Sequence, residues 1–465
     1  MTYSPARRTA LVLCGTGAHG AYHAGVLRAL QEAGVKVDVI AGHGVGAGAA
    51  AVAAIDGGAR LWEPDGIWRS PGHTRYYGWT RSIRIAGWLT LLLLLVLCAP
   101  ISFLVAGVVV YSAAFLLEML GSSAGPSLVS TYSSWLRTAF SGPQLPTTIP
   151  RLAMALVASV IGVLVAGMLF SRLGRTAKRR AERGWWWGLI GSPLDAEPAR
   201  RAFSSAIWHL IRGAAGDRRP PVGPVVGRRY AEVLGENLGQ PGFRELMIIA
   251  TDLDSRSDVI AAMLREPYRR EFIASRPGRE RRAEVLDLAG LGRDYACEVM
   301  HAALTPPLAS APRLVTFAPD GYWRGETHRL CDRPGSVARL FEELAAAGVS
   351  QAIVASAVPA MMAPHRLRAP RLDIRGRLGE FIEASESASL HDAMDLARLR
   401  FDSFYVICPA HNPVGPFDFG GAYDEASDRR HSTQELMERA YEDAYHQFIE
   451  PVVGASGEQL VGRSS

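Results

Sequence analysis

The spacing of apolar positions changes character several times along this chain. Leu11-Val12-Leu13-Cys14 is uniformly apolar and breaks into glycines, the pattern of a buried strand. Residues 20–34 then follow helical spacing, with Ala21, Val26, Leu27 and Leu30 on one face and Gly34 as the stop. A second short strand at 37–40 runs into Gly42-His43-Gly44-Val45-Gly46. From 88 to 117 all periodicity disappears, and no charge occurs until Glu118. A helix of about 30 residues is roughly 45 Å long, enough to cross a bilayer. Pro100 is expected to kink it. A second apolar run covers 152–170, close to the ~20 residues a span needs. The Ser/Pro/Gly-rich stretch 121–150 between them reads as a loop. Near the C-terminus, Ser432 and Glu435 form a capping box for a helix towards Phe448, expected to pack on the sheet. The tail after Gly454 reads as loose.

Charge gives these segments an orientation. Arg81 and Arg84 precede the first span, and Arg172, Arg175, Lys178, Arg179, Arg180 and Arg183 follow the second. The intervening loop has Arg137 alone, so both flanks are expected in the cytoplasm and the loop outside. Two buried core helices, or three passes with a split at Pro100, are the alternatives. Trp185-Trp186-Trp187 reads as an interfacial anchor. The formal net charge is only +5, and the Arg excess clusters beside the apolar segments. That favours an anionic membrane face, with no nucleic acid as partner. The five cysteines are odd in number and form no CxxC pair, which fits a reducing compartment. The first apolar run is too short for a signal peptide.

The candidate chemistry lies in two glycine clusters. Gly15-Thr16-Gly17-Ala18-His19-Gly20 joins a strand to a helix. It satisfies a dinucleotide fingerprint, but the second strand ends without the carboxylate that a ribose needs. Its backbone N–H groups equally suit an acyl oxyanion, and a purely structural turn is the third reading. The second cluster is an elbow of the kind that presents a serine, but Gly44 has no hydroxyl. His43 is next to it, yet successive side chains at a sharp turn diverge. Asp252 and Asp254 read as turn and cap rather than a metal pair. His209, His301, His365, His391 and His411 lack ligand spacing, so neither metal nor cofactor is implied. The arginine-rich stretch 265–282 reads as a solvated helix face.

The run from Gly15 to Leu30, continuing through Asp38-Val39-Ile40-Ala41-Gly42, strongly resembles patatin-like phospholipases. The resemblance implies a three-layer α/β/α sandwich. It also implies an oxyanion hole built from the first glycine loop, at Gly15, Thr16, Gly17 and Ala18. A G-x-S-x-G elbow and a Ser–Asp dyad would attack lipid acyl esters. Residues 247–253 match the family's inner strand, 302–312 its proline-rich helix, and 317–332 its hairpin, turning at Asp320-Gly321. Cys331-Asp332-Arg333-Pro334 then stands where the family has D-G-G/A, making Asp332 the remnant acid. A helix at 337–347 and a strand at 352–355 support that register. Asp418 or Asp424, in a string closer to D-G-G, is the rival placement.

On this reading the nucleophile position is Gly44, the basic residue of the oxyanion loop is His19, and the glycines after the acid are replaced. The three departures point to a catalytically degenerate acyl hydrolase of lipid metabolism. It would be a multi-pass protein of the bacterial inner membrane that binds phospholipid or acyl groups, or an unknown protein partner. An active esterase with an unorthodox nucleophile and a nucleotide-binding membrane regulator are the alternatives. The expected plan is 1–60, first part of the patatin-like domain; 61–85, linker; 86–120, first transmembrane helix; 121–150, outer loop; 151–171, second helix; 172–241, basic linker; 242–454, second part of the domain; and 455–465, tail. Both termini and the main domain are expected in the cytoplasm. Gly44→Ser is expected to keep the fold.

Overall fold

The apolar run at 11–14 lies in strand β1, Thr9–Cys14, in which every residue is buried. The computed structural model describes residues 3–140, 148–173, 191–213, 223–274, 282–320, 323–359 and 371–454. They divide into two units, Met1–Gly78 with Leu194–Ser465, and Trp79–Pro193.

In the first unit a mixed sheet runs in the order Ser403–Ile407, Gln351–Ser356, β1, β2 (Val39–Gly42), Glu245–Asp252, Ser257–Met263 and Ala283–Asp287. The first five strands are mutually parallel. A hairpin, Arg313–Thr316 with Thr327–Cys331, joins the end of Glu245–Asp252 through Thr251 and Cys331. The sheet is apolar on both faces and needs cover on both. On one face Val12, Ala41, Met247 and Val354 meet Leu340 and Leu344 of helix Ser336–Ala346 and Met394 of helix Ile374–Arg398. On the other lie α1 (Gly20–Glu32), α2 (Val45–Ala53) and helix Ala296–Ala303. The result is a central sheet flanked by helices, as the patatin resemblance implied.

The strand after α1 lies two residues later than its pattern suggested. The last helix, Thr433–Ala444, is capped by the Ser432 side chain, which accepts from Glu435 N. It packs on α1, where Gly25 and Ala440 let the two helices approach closely, and its helical continuation Tyr445–Gly454 reaches the sheet through Phe448, whose ring lies 5.1 Å from that of Tyr405. Only Tyr268–Ile273 of the arginine-rich stretch is helical among the described residues. Arg265 and Arg269 there pair with Glu245 at 3.1 Å and Asp287 at 2.7 Å. Arg276, Arg279 and Arg281 lie outside the described residues, as do His365 and the Trp185-Trp186-Trp187 run.

In the second unit the long apolar stretch breaks at Cys98 into helices Arg81–Leu97 and Ala99–Met119, with Pro100 in the first turn of the second. The segment expected as a loop contains a third helix, Ala124–Phe140. Its Ser and Thr hydroxyls bond back to carbonyls one turn earlier, for example Thr131 Oγ1 to Ser127 O at 2.9 Å. A polar composition therefore did not mean a loop here. A fourth helix, Thr148–Leu173, packs against Arg81–Leu97, while Ala124–Phe140 packs against Ala99–Met119. Ala99–Met119 and Thr148–Phe170 are long and apolar enough to cross a membrane.

Candidate functional site

The two glycine clusters follow the C-terminal ends of β1 and β2, where open parallel sheets place their ligand sites. Gly44 adopts φ 57°, ψ −133° between β2 and α2. That left-handed backbone keeps the shape of a strained nucleophile elbow. The residue is also hemmed in. A side-chain carbon added at Gly44 would overlap the Gly15 carbonyl oxygen and stand 3.0 Å from Asp332 Oδ2. The Gly15 carbonyl is held there by the Val45 N–H at 2.9 Å. The expectation that Gly44→Ser keeps the fold is therefore corrected: the first loop occupies the space a serine needs.

Asp332 lies directly at the elbow and is almost wholly buried. Gly44 N donates to its Oδ1 at 3.1 Å, and the Thr16 hydroxyl lies 3.3 Å from its Oδ2. Its own N–H donates to Thr305 O at 3.0 Å. Arg333, which replaces a family glycine, reaches Asp258 on the neighbouring strand at 2.7 Å and Thr251 at 3.2 Å. Asp418 and Asp424, the rival placements, are engaged elsewhere. Asp418 accepts from Arg371 at 2.6 Å and Gly415 N at 3.0 Å, and Asp424 from Ser427 at 2.8 Å and His411 at 3.1 Å.

The first loop is also occupied. Ala18 N donates to Pro416 O at 2.7 Å. Gly17, at φ 61°, leaves no room for a side chain beneath that same carbonyl. Pro416 belongs to a strap whose Phe417 and Phe419 bury themselves among Tyr77 and Trp68. Arg375 fixes the strap by donating to Phe417 O at 2.5 Å.

Two participants, Glu386 and Pro416, escaped the sequence reading, and a third, His43, was expected to turn away. Glu386, on helix Ile374–Arg398, is buried and accepts from the Thr16 hydroxyl. His43 does not diverge from the site: its Nδ1 stands 3.5 Å from Asp332 Oδ1. Burial pulls the His43 imidazole towards neutrality, but Asp332 and Cys14 outweigh it and hold its pKa well above the ordinary value. Pro416 came from a loop with no motif. The nearby thiol of Cys331 is pushed up to about 12 by burial and by Asp332, which keeps it protonated and unreactive. Asp252 bonds His328 and Ser255, and Asp254 bonds Arg329.

Two buried imidazoles weaken this fold as the pH falls. Burial pushes His23, which bonds Cys14 O at 2.9 Å, down to about 3. It pushes His301, which bonds Ser204 at 2.6 Å, down to about 4. Both are neutral when folded and take up a proton on unfolding once the pH drops below ~6.5. Their contribution is thus full above that value and declines as pH falls towards the folded-state pKa values, whereas His43, whose folded pKa is raised, slopes the other way above ~6.5 and adds no slope well below it. The slope is about 1.4 kcal/mol per pH unit for each imidazole. The expected result is a Tm that falls from roughly pH 6 to pH 5, with a shallower slope in His301→Gln. Thermal melts across that range check it.

The family model for patatin-like phospholipase matches residues 11–377. The chain belongs to the patatin-like phospholipase family, a family of lipid acyl hydrolases. Among solved structures it is similar to VipD from Legionella pneumophila, with 13% identity and a TM-score of 0.31. That match covers 95% of this chain and 66% of VipD, so the chain spans just under two thirds of that protein's length. No curated protein matches it.

Proposed function

We propose that this chain is a membrane-anchored patatin-like protein that has lost acyl transfer. In this reading it binds phospholipid or acyl groups, or a protein partner, at the membrane surface. The observation that carries the reading is the filled elbow: Gly44 has no nucleophile, and the Gly15 carbonyl takes the space where one would begin. The family reaction needs a hydroxyl activated by the acid and facing free backbone donors. Here Gly44 N is bound to the acid itself and Ala18 N to the strap. Purified protein is expected to turn over fluorogenic acyl esters no faster than buffer, before and after Asp332→Ala. Turnover that this substitution abolishes would overturn the reading.

One observation favours a second reading, an active hydrolase. The Thr16 hydroxyl sits in the first loop against two carboxylates, Asp332 and Glu386. Attack from Thr16 would require the Pro416 strap to leave. Ester turnover lost in Thr16→Val would select this reading. The nucleotide alternative has little support, because Pro416 O stands where a phosphate would meet the Ala18 amide.

Membrane anchoring rests on the helices Ala99–Met119 and Thr148–Phe170 and on their outward apolar side chains, such as Leu104 and Phe170. Soluble proteins do not leave such continuous surfaces to water. The flanks of the insertion join one sheet, since β2 pairs with Glu245–Asp252. In this reading the insertion crosses an even number of times, which favours two passes over three. By the positive-inside rule the basic flanks support a reading in which the sheet domain and both termini are cytoplasmic, at the inner membrane. The protein is expected to resist alkaline carbonate extraction. In intact spheroplasts, a cysteine at Ser133→Cys is expected to react with membrane-impermeant maleimide, and Cys408 only after lysis.

A further inference from the structure

Three side chains from distant segments converge behind the elbow. His43 follows β2, Asp332 follows the hairpin strand Thr327–Cys331, and Glu386 projects from helix Ile374–Arg398. One ligand atom from each lies within 4.8 Å of the others, and all three residues are buried. Their polar atoms are left wanting partners. His43 Nδ1 and Glu386 Oε2 make no hydrogen bond, nor does either ring nitrogen of His19, whose Nδ1 stands 3.8 Å from Glu386 Oε2. Buried polar atoms in native proteins find partners, so an orphaned group of this kind marks a missing one.

The missing partner has a definable chemistry. Two carboxylates and one imidazole nitrogen need a donor-free cation. A divalent ion balances the two negative charges, and its binding releases the proton of the imidazole. Imidazole with carboxylates suits zinc and its first-row neighbours. Ligand atoms around a tetrahedral ion at ~2 Å stand ~3.3 Å apart, so the side chains need only a modest contraction. We propose that His43, Asp332 and Glu386 bind one divalent transition-metal ion, with the Thr16 hydroxyl donating to Glu386 and standing beside Asp332. His19 stands behind Glu386 as an outer-shell donor that would orient it. Such an ion would tie the elbow, the hairpin and helix Ile374–Arg398 together where the family keeps its dyad. Sequence spacing could not reveal it, because the ligands lie 289 and 54 residues apart. The inference does not depend on the loss of acyl transfer, since a bound ion is read by content and spectrum rather than by turnover.

The test uses the full chain in detergent, stripped with dipicolinate and reloaded with Zn²⁺. The expected result is one ion retained per chain after desalting, together with a raised Tm. His43→Gln and Glu386→Gln should each weaken Zn²⁺ binding at least ~10-fold. His328→Gln, whose imidazole pairs with Asp252 outside the cluster, should not. Should the first two variants fail to fold, Co²⁺ loading of the unaltered protein decides: ligand-field bands of a low-symmetry nitrogen–oxygen site are expected. The proposal is overturned by the absence of both a retained ion and a Tm shift with Zn²⁺, Mn²⁺ and Co²⁺. Equal Zn²⁺ binding in the folded variants would overturn it too, by placing the ion elsewhere.

Discussion

Gly44→Ser is expected to destabilise the sheet domain by about 2–5 kcal/mol and to create no esterase. Two costs add. The residue must hold a left-handed φ of 57° with a Cβ, and that Cβ must displace the Gly15 carbonyl. The carbonyl is not free to leave, because it accepts the Val45 N–H that starts α2. A serine placed here would also find Asp332 already bonded to Gly44 N and the Ala18 amide already taken. Restoring the family residue therefore restores neither the room nor the donors. Thermal melts with ester assays on the same preparation check both halves. A stable, active Gly44→Ser protein would mean that the loop and strap open readily.

Asp332→Ala is expected to cost about 3–5 kcal/mol in stability, although no turnover depends on it. The carboxylate accepts the Gly44 N–H, lies 3.3 Å from the Thr16 hydroxyl and stands 3.5 Å from the His43 imidazole. All of these are buried; removing the acid leaves the Gly44 N–H without its acceptor and the His43 imidazole without its counter-charge, and the Thr16 hydroxyl keeps Glu386 alone. In an ordinary hydrolase the catalytic acid can be removed with rate as the main loss. Here the acid has become a structural hub. The drop in Tm relative to wild type measures it, and an unchanged Tm would show that the site is not a folding element.

The sheet domain was legible because its signals are local. Strand runs that break into glycines, helices that stop at Gly34 and Gly348, and the Ser432 cap all sit within a few residues of what they govern. Gly44 and Asp332 could be placed for the same reason, by register against motifs on either side. What escaped was set by distant contacts. Glu386 lies in the run Glu383-Ala384-Ser385-Glu386, which reads like a solvent face until the elbow covers it. His43 was expected to point away, but the left-handed turn at Gly44 leaves it beside Asp332. Pro416 carries no motif, because its carbonyl rather than its side chain does the blocking. The helix Ala124–Phe140 escaped because hydroxyls that bond their own helix look, in composition, like a loop.

The central claim is that, among the described residues, the elbow presents no side chain to take an acyl group and the first loop's Ala18 amide is already bonded. Intact-mass spectrometry after exposure to a reactive fluorophosphonate tests it most directly. The expected result is a single peak at the unmodified mass, with an active serine hydrolase labelled in parallel. A stoichiometric adduct, mapped by proteolysis to Thr16 or any other hydroxyl beside Asp332, would contradict the account.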